Sequence, residues 1–352
     1  MLRAGVLRTV SAAFAVALCH SAASSETMDE LYTKAKVEKS LVIYAGGPAS
    51  GYEPLAREFE KKFPGLTVSI NGGFSNVLNE KIEQQFKASK LETDLVLFQT
   101  AQDLVRWKGQ GRLLNFKPDG TDVIPAIYRD PDGAFIAWRI SAIGYAYNTQ
   151  HVKPENAPKS ALDFLKPEFR GKMIACYPFD DDATLYLFYT LMQKYGDDYV
   201  DKYLANQPNW VQGHLGVARS IAEGANYVSL DSTHAITLAL KKAGQPIELK
   251  FSDADPTPVF HVTAGIFKDA PHPNFAKLYL TWLMQPEQQE RAGPYSPRPD
   301  VLPAASSGLK PLSDMKIANN YREFVTNEAL LTSLRKKFEA AIGPIKNAGG
   351  VR

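Results

Sequence analysis

Arg139 is the side chain best suited by type and place to hold an anion. It sits beside Trp138 in a run, 135–140, that reads as a strand. A guanidinium there can clamp a carboxylate or phosphate through two parallel hydrogen bonds. An ion pair between two parts of the molecule is the competing use. Asp180-Asp181-Asp182 pulls the other way. Acids such as Asp180 and Asp182 can hold an amine or a metal, or simply complement a helix start. A zwitterion would satisfy Arg139 and an aspartate together. Phe74, Trp138 and Phe179 offer apolar walls, a role that ordinary core filling also explains. His151, His214, His234, His261 and His272 are scattered, and none forms an i, i+4 metal pair. His234 and His261 are kept as ligand candidates because each falls next to a predicted strand end or crossover.

Enzyme motifs are missing. The chain has no H-E-x-x-H, no G-x-S-x-G and no paired C-x-x-C. Gly47-Pro48-Ala49-Ser50-Gly51 lacks both the Lys-Ser/Thr pair of a P-loop and the G-x-G-x-x-G spacing. Cys176 ends Met173-Ile174-Ala175-Cys176, a run that reads as a buried strand, so a packed thiol is expected rather than a nucleophile. No catalytic residue, metal centre or cofactor is assigned.

Positioning such residues falls to alternating strands and helices. Residues 41–44, 66–70 and 94–98 read as strands. Leu55, Phe59 and Phe63 recur at helical spacing after the first, and Leu78, Ile82 and Phe86 after the second. A third helix ends at Gly109. Three strand–loop–helix units in a row predict a parallel α/β sheet. A second series follows the Asp130-Pro131-Asp132-Gly133 turn. Its expected strands are 135–140, 143–147, 172–176, 227–230, 247–251 and 259–267. Helices are expected from Asp180, over 232–243, and over 274–284, 286–292 and 328–342. In such sheets ligands lie beyond the carboxyl ends of strands, where helix N-termini present unpaired N–H groups. That places Gly47, Ser75, Thr100, the 179–182 loop and the 231–234 loop at one edge. For Ser75, Thr100, Asp182 and Ser232 each taken alone, ordinary helix capping is the better reading; the ligand-binding reading rests on the loops sharing that edge.

Composition narrows the partners. Arg3 and Arg8, an apolar run over 10–18 and Ser21-Ala22-Ala23 form an export signal too short to span a bilayer. Cleavage is expected near residues 23–25. Leu18 before Cys19 fits lipoprotein processing poorly, so no lipid is expected. Without Arg3 and Arg8 the 40 Lys+Arg fall to 38, equal to the 38 Asp+Glu. A neutral, mixed-sign surface argues against nucleic acid or an anionic membrane as partner. Loss of Cys19 would leave Cys176 alone and exclude an internal disulfide.

The mature chain resembles the extracellular solute-binding proteins of ABC importers. The likeness is carried by Leu41-Val42-Ile43-Tyr44, by Phe59-Glu60-Lys61-Lys62-Phe63-Pro64-Gly65 and by Thr93-Asp94-Leu95-Val96. Gly144-Tyr145-Ala146-Tyr147-Asn148-Thr149 matches that family's strand entering the second lobe. Ala270-Pro271-His272-Pro273-Asn274-Phe275-Ala276-Lys277 and Gln285-Pro286-Glu287-Gln288-Gln289 resemble its late helices. Tyr295-Ser296-Pro297-Arg298-Pro299-Asp300-Val301 resembles the ending of its ferric-iron-binding branch. The iron-binding members use an adjacent tyrosine pair, and this chain has no Tyr-Tyr; Asp231-Ser232-Thr233-His234 stands in its place.

The resemblance implies a type II periplasmic binding fold, α/β, with two lobes, each a mixed and mostly parallel sheet flanked by helices, and a cleft between them. Residues 26–138 and 263–305 would form the first lobe and 139–262 the second, with 306–352 packed on the second. The crossovers would lie near residues 138–140 and 261–264. The implied protein is a periplasmic monomer that captures a small solute, closes by a hinge and delivers it to a membrane permease. Its expected solute is an organic or phosphorus-containing anion, or a zwitterion. The alternatives are a ferric-iron or other metal-binding member, using His234, His261 and acids, and a secreted enzyme with an unrecognised site. Expected ligand residues are Gly47, Phe74, Ser75, Thr100, Trp138, Arg139, Phe179, Asp180, Asp182, His234 and His261.

Overall fold

The computed structural model of the protein describes residues 26–346. The expected export signal, its cleavage site and Cys19 lie outside these residues, as does the end of the tail, 347–352.

The chain opens on α1 (Met28–Glu38), which Thr27 and Glu30 start with reciprocal hydrogen bonds. β1 (Ser40–Gly46), α2 (Glu53–Lys62), β2 (Thr67–Gly73), α3 (Ser75–Lys87), β3 (Leu95–Phe98) and α4 (Ala101–Gly109) are the three expected strand–helix units. β1 lies between β2 and β3 and runs parallel to both. All three strands therefore deliver their following loops to one edge. α2 holds Leu55, Ala56 and Phe59 on its buried face. The Phe59 ring lies 4.7–5.6 Å from the rings of Phe63, Phe275, Tyr279 and Trp282.

The next two expected strands are a single one, β4 (Ile136–Asn148). Ser141 and Ala142 remain extended because β9 (Thr257–Ile266) pairs with them, Ser141 opposite Phe260 and Ala142 opposite Val259. Between these strands come β5 (Ile174–Cys176), α5 (Asp182–Tyr195), α6 (Asp198–Ala205), β6 (Asn209–Val211), α7 (His214–Ala222), β7 (Val228–Thr233), α8 (His234–Lys242) and β8 (Ile247–Lys250). α9 (Pro273–Leu283), α10 (Pro286–Ala292), β10 (Ile317–Ala318), α11 (Tyr321–Val325) and α12 (Glu328–Ile342) complete the chain.

The main sheet has the order β2-β1-β3-β9-β4-β7, with β8 also on β4 and β10 on β9. β5 and β6 pair separately. One hydrogen-bonded path thus runs through the molecule because β4 and β9 are long enough for different strands to pair with their two ends. Pairings of β9 with β3 and β4, and of β4 with β7 and β8, are antiparallel. The sheet is less parallel than the strand–helix alternation predicts, since a strand that leaves one half and a strand that returns must run oppositely. The apolar interior is divided. One large core holds Phe59, Phe98, Trp107, Trp138 and Trp282. A second large core holds Tyr145, Phe164, Tyr186, Phe188 and, from the tail, Tyr321, Phe324, Leu334 and Phe338, and two smaller clusters lie around Val217 and Ile221 and around Ile140 and Tyr295. Among the described residues no helix is long and apolar enough to cross a membrane.

Candidate ligand cleft

A cavity of about 280 Å³ lies where the two halves face each other. Phe74, Ser75, Asn76 and Asn79 line it from the start of α3, and Gln99, Thr100, Gln102 and Asp103 from the start of α4. Phe179, Asp180, Asp181, Asp182 and Gly213 line it from the other half, with Arg335 from α12. The parallel run of β1, β2 and β3 brings the first set together, because each strand ends at this edge.

Ser75 and Thr100 are not the side-chain caps that sequence allows. Phe74 is the residue before α3, and neither it nor Thr100 caps its helix through a side chain. Ser75 and Thr100 are 5 % and 8 % exposed, and the hydroxyl of each is buried without a hydrogen-bond partner. A buried, unpaired hydroxyl costs about 1–3 kcal/mol. Two of them at the starts of two helices define a place where polar ligand atoms would be stabilised. Close backbone approach shapes this corner. A Cβ on Gly46 would stand 2.5 Å from Ser75 Oγ, and one on Gly72 would run into the Ala49 backbone.

The three aspartates differ in use. Asp181, not Asp180, begins α5; its Oδ1 accepts from Ala183 N (2.9 Å) and Thr184 N (3.1 Å). Asp180 Oδ2 accepts from Gln212 Nε2 at 2.8 Å. Asp182 accepts from Gln102 Nε2 at 2.6 Å and from the Arg335 guanidinium. Its charge is thus answered by Arg335 rather than left for an amine. The same contacts tie α4, α5 and α12 together.

Behind Asp181 lies a buried ion triad. His214 Nε2 is 3.0 Å from Asp231 Oδ1, and Nδ1 is 3.5 Å from Asp181 Oδ2. Burial alone would lower the imidazole, but the Asp231 and Asp181 charges raise it to about 9. Asp231 also accepts from Cys176 N and Thr184 Oγ1. Burial, reinforced by the Asp231 and Asp181 charges, pushes the Cys176 thiol well up, which agrees with the packed thiol expected there.

The remaining expected ligand residues do not line the cavity. Gly47, at φ +99°, donates its N–H to Gly73 O at 2.7 Å. Trp138 is 1 % exposed and belongs to the first core, so it walls no cleft. Arg139 lies with its guanidinium 4.7 Å from the Trp138 ring and 5.4 Å from the Tyr52 ring. Its Nε is buried without a partner. No described carboxylate pairs with it within 4.0 Å, so the interlobe salt bridge is not its role here. The Tyr52 hydroxyl donates to Gly46 O, which joins the Arg139 region to Ser75. His234 Nδ1 accepts from Ala142 N at 3.1 Å, and its ring packs 4.9 Å from Tyr295. Burial, with the nearby Arg139 charge, brings it to about 4. His261 is sandwiched between Tyr128 (5.6 Å) and Tyr321 (5.8 Å), with both ring nitrogens unpartnered. His234 and His261 join no common set of metal-ligating side chains among the described residues.

Gln102, Arg335 and the convergence of Cys176, Asp181 and His214 carried no sequence signal. Arg335 and Asp182 are 153 positions apart.

The profile of bacterial extracellular solute-binding proteins matches residues 45–290. Iron-bound HitA from Pseudomonas aeruginosa superposes with a TM-score of 0.71 at 19% identity, over 85% of this chain and 99% of that one. AfuA from Actinobacillus pleuropneumoniae, with fructose-6-phosphate bound, gives 0.73 at 20% identity over 86% and 99%. The substrate-binding protein of an ABC transporter from Agrobacterium tumefaciens gives 0.73 at 16% identity over 86% and 94%. Among curated proteins no sequence matches the chain. These likenesses establish the two-lobed type II periplasmic-binding fold.

Proposed function

The chain belongs to the bacterial extracellular solute-binding protein family, and from that premise we propose that it is the soluble receptor of an ABC importer. It is a binding protein rather than an enzyme. In this reading it works in the periplasm as a monomer and hands a small solute to a membrane permease. The first lobe comprises 26–138 and 263–305, and the second 139–262 with the tail. The solute sits between them, and the lobes close on it by bending β4 and β9.

The solute proposed is a small organic or phosphorus-containing anion, with a zwitterion as a variant. The observation that carries this reading is the pair of buried, unpartnered hydroxyls, Ser75 and Thr100, at two helix starts in the cavity wall. Arg139 supports it as a half-buried guanidinium with no described carboxylate paired to it; it lies outside the cavity lining and is linked to Ser75 through two residues, Tyr52 and Gly46. A buried anion left unpaired would be costly, and Arg139 can answer it. Among the described residues, Asp180 is the cleft carboxylate that no cationic side chain pairs, which is the place for the positive end of a zwitterion. The iron and sugar phosphate named for the neighbours belong to those proteins. Ferric iron is disfavoured here by the missing tyrosine pair and by the separation of His234 from His261.

Thermal-shift screening with carboxylates, phosphate monoesters, phosphonates and amino acids tests the reading. A bound solute at about 100 times its Kd stabilises the fold by about 2.7 kcal/mol. Calorimetry on Arg139→Lys and Arg139→Ala then follows. A hit whose affinity falls markedly in the first and further in the second is expected, and unchanged affinity in both would reject the assignment.

A further inference from the structure

We propose that Cys176 Sγ, Asp181 Oδ2 and His214 Nδ1 form a binding site for a divalent cation of the zinc class. The donor atoms of these three side chains lie within 4.8 Å of one another. His214 Nδ1 and Asp181 Oδ2 are 3.5 Å apart. Ligands about 2.0–2.3 Å from a tetrahedral zinc stand roughly 3.4–3.6 Å from each other. One edge of the tetrahedron is therefore already set, and the thiol lies no more than 4.8 Å from donor atoms of both other side chains.

The surroundings fit the same geometry. His214 Nε2 is backed by Asp231 Oδ1 at 3.0 Å, the arrangement in which a carboxylate orients a metal-ligating imidazole. Asp231 is itself held by Cys176 N and Thr184 Oγ1. Asp181 uses Oδ1 to cap α5, which leaves Oδ2 for the ion without loss of the cap. Asp181 and Gly213 line the cavity, which sets the cluster directly behind the cleft wall and gives an ion an entry path past Asp181.

A metal ligand binds through a deprotonated donor atom, so loading the site releases protons and binding strengthens as pH rises. A thiolate, an imidazole and a carboxylate together suit zinc rather than calcium or magnesium, which take oxygen ligands.

Cobalt(II) titration of the purified protein, with no solute added, tests this. One equivalent should bind and give a thiolate-to-cobalt charge-transfer band, and zinc should displace it. Cys176→Ser should abolish the band and weaken binding at least tenfold. Asp181→Asn, which still caps α5, should weaken binding at least tenfold while retaining the band. Circular dichroism and melting of each variant confirm that it is folded. Absence of a band in the folded wild type, or a band that survives Cys176→Ser, would overturn the site. Because no solute enters the experiment, its failure leaves the receptor reading standing, and failure to find a solute leaves the metal site standing.

Discussion

Replacing His261 should remove a defined part of the protein's acid sensitivity. The ring is 4 % exposed, lies between Tyr128 and Tyr321, and makes no hydrogen bond through either nitrogen. Burial lowers it from 6.5 to about 4, and the Arg322 charge acts in the same direction. Its folded value is depressed, so the neutral ring stabilises fully above about pH 6.5. Below that the unfolded chain takes up a proton that the folded chain refuses. The difference of about 2.5 units sets a ceiling of about 3.4 kcal/mol, approached below pH 4. Between pH 7.5 and pH 5.0 the loss is about 2 kcal/mol. Urea unfolding of wild type and His261→Leu at both pH values reads it. The variant should match or exceed the wild type at pH 7.5, since two unpaired nitrogens leave the interior. Its loss of stability on going to pH 5.0 should be smaller by about 2 kcal/mol. The same pH slope in both proteins would refute the argument, because a ring that is solvated or charged in the folded state would contribute no such term. His234, also brought to about 4, should supply a second contribution of similar size, which His261→Leu leaves intact.

Other perturbations separate packing from binding. Phe59→Ala, removing a ring at the centre of four aromatic neighbours, should cost about 3–5 kcal/mol of unfolding free energy by urea titration. Gly46→Ala places a methyl 2.5 Å from Ser75 Oγ; it should weaken solute binding at least tenfold by calorimetry, with a stability loss of about 1–3 kcal/mol. Asp182→Ala breaks the contacts to Gln102 and Arg335 together. Small-angle scattering should then show a more open, larger particle without solute, and an unchanged radius of gyration would show that this tie does not hold the lobes.

Much of the first half was legible because its signals are local. β1 and β3 are short apolar runs, β2 alternates Val68 and Ile70 with polar residues, and α2 and α3 carry their buried residues at helical spacing within a dozen positions. Strand direction then follows from connectivity, and with it the edge where Ser75 and Thr100 meet. α12 was legible to its ends for the same reason. α1, α6 and α7 were not read from the sequence. Each is short or adjoins another element, and the buried face of α6 is Tyr199, Val200 and Tyr203, a set too brief to establish a period. Ser141 looked like a break in β4 and is not one, since pairing with β9 outweighs its weak strand preference.

The candidate site divides along the same line. Which loops face the cleft is a consequence of the order of strands and helices, and that order is written in the sequence. Which side chains are free to act is decided by partners far away in the chain. Asp182 and Arg335 meet over 153 positions, Trp138 turns into the first core, and tail residue Tyr321 closes over His261. Cys176, Asp181 and His214 come from a strand, a helix cap and a helix start that only the packed second lobe superimposes. Periodicity and capping act over a few residues, so sequence alone determines the elements and their edge. Burial, and with it every charge state and free donor in the cleft, is a property of the surfaces those elements present to one another, and only the tertiary structure decides it.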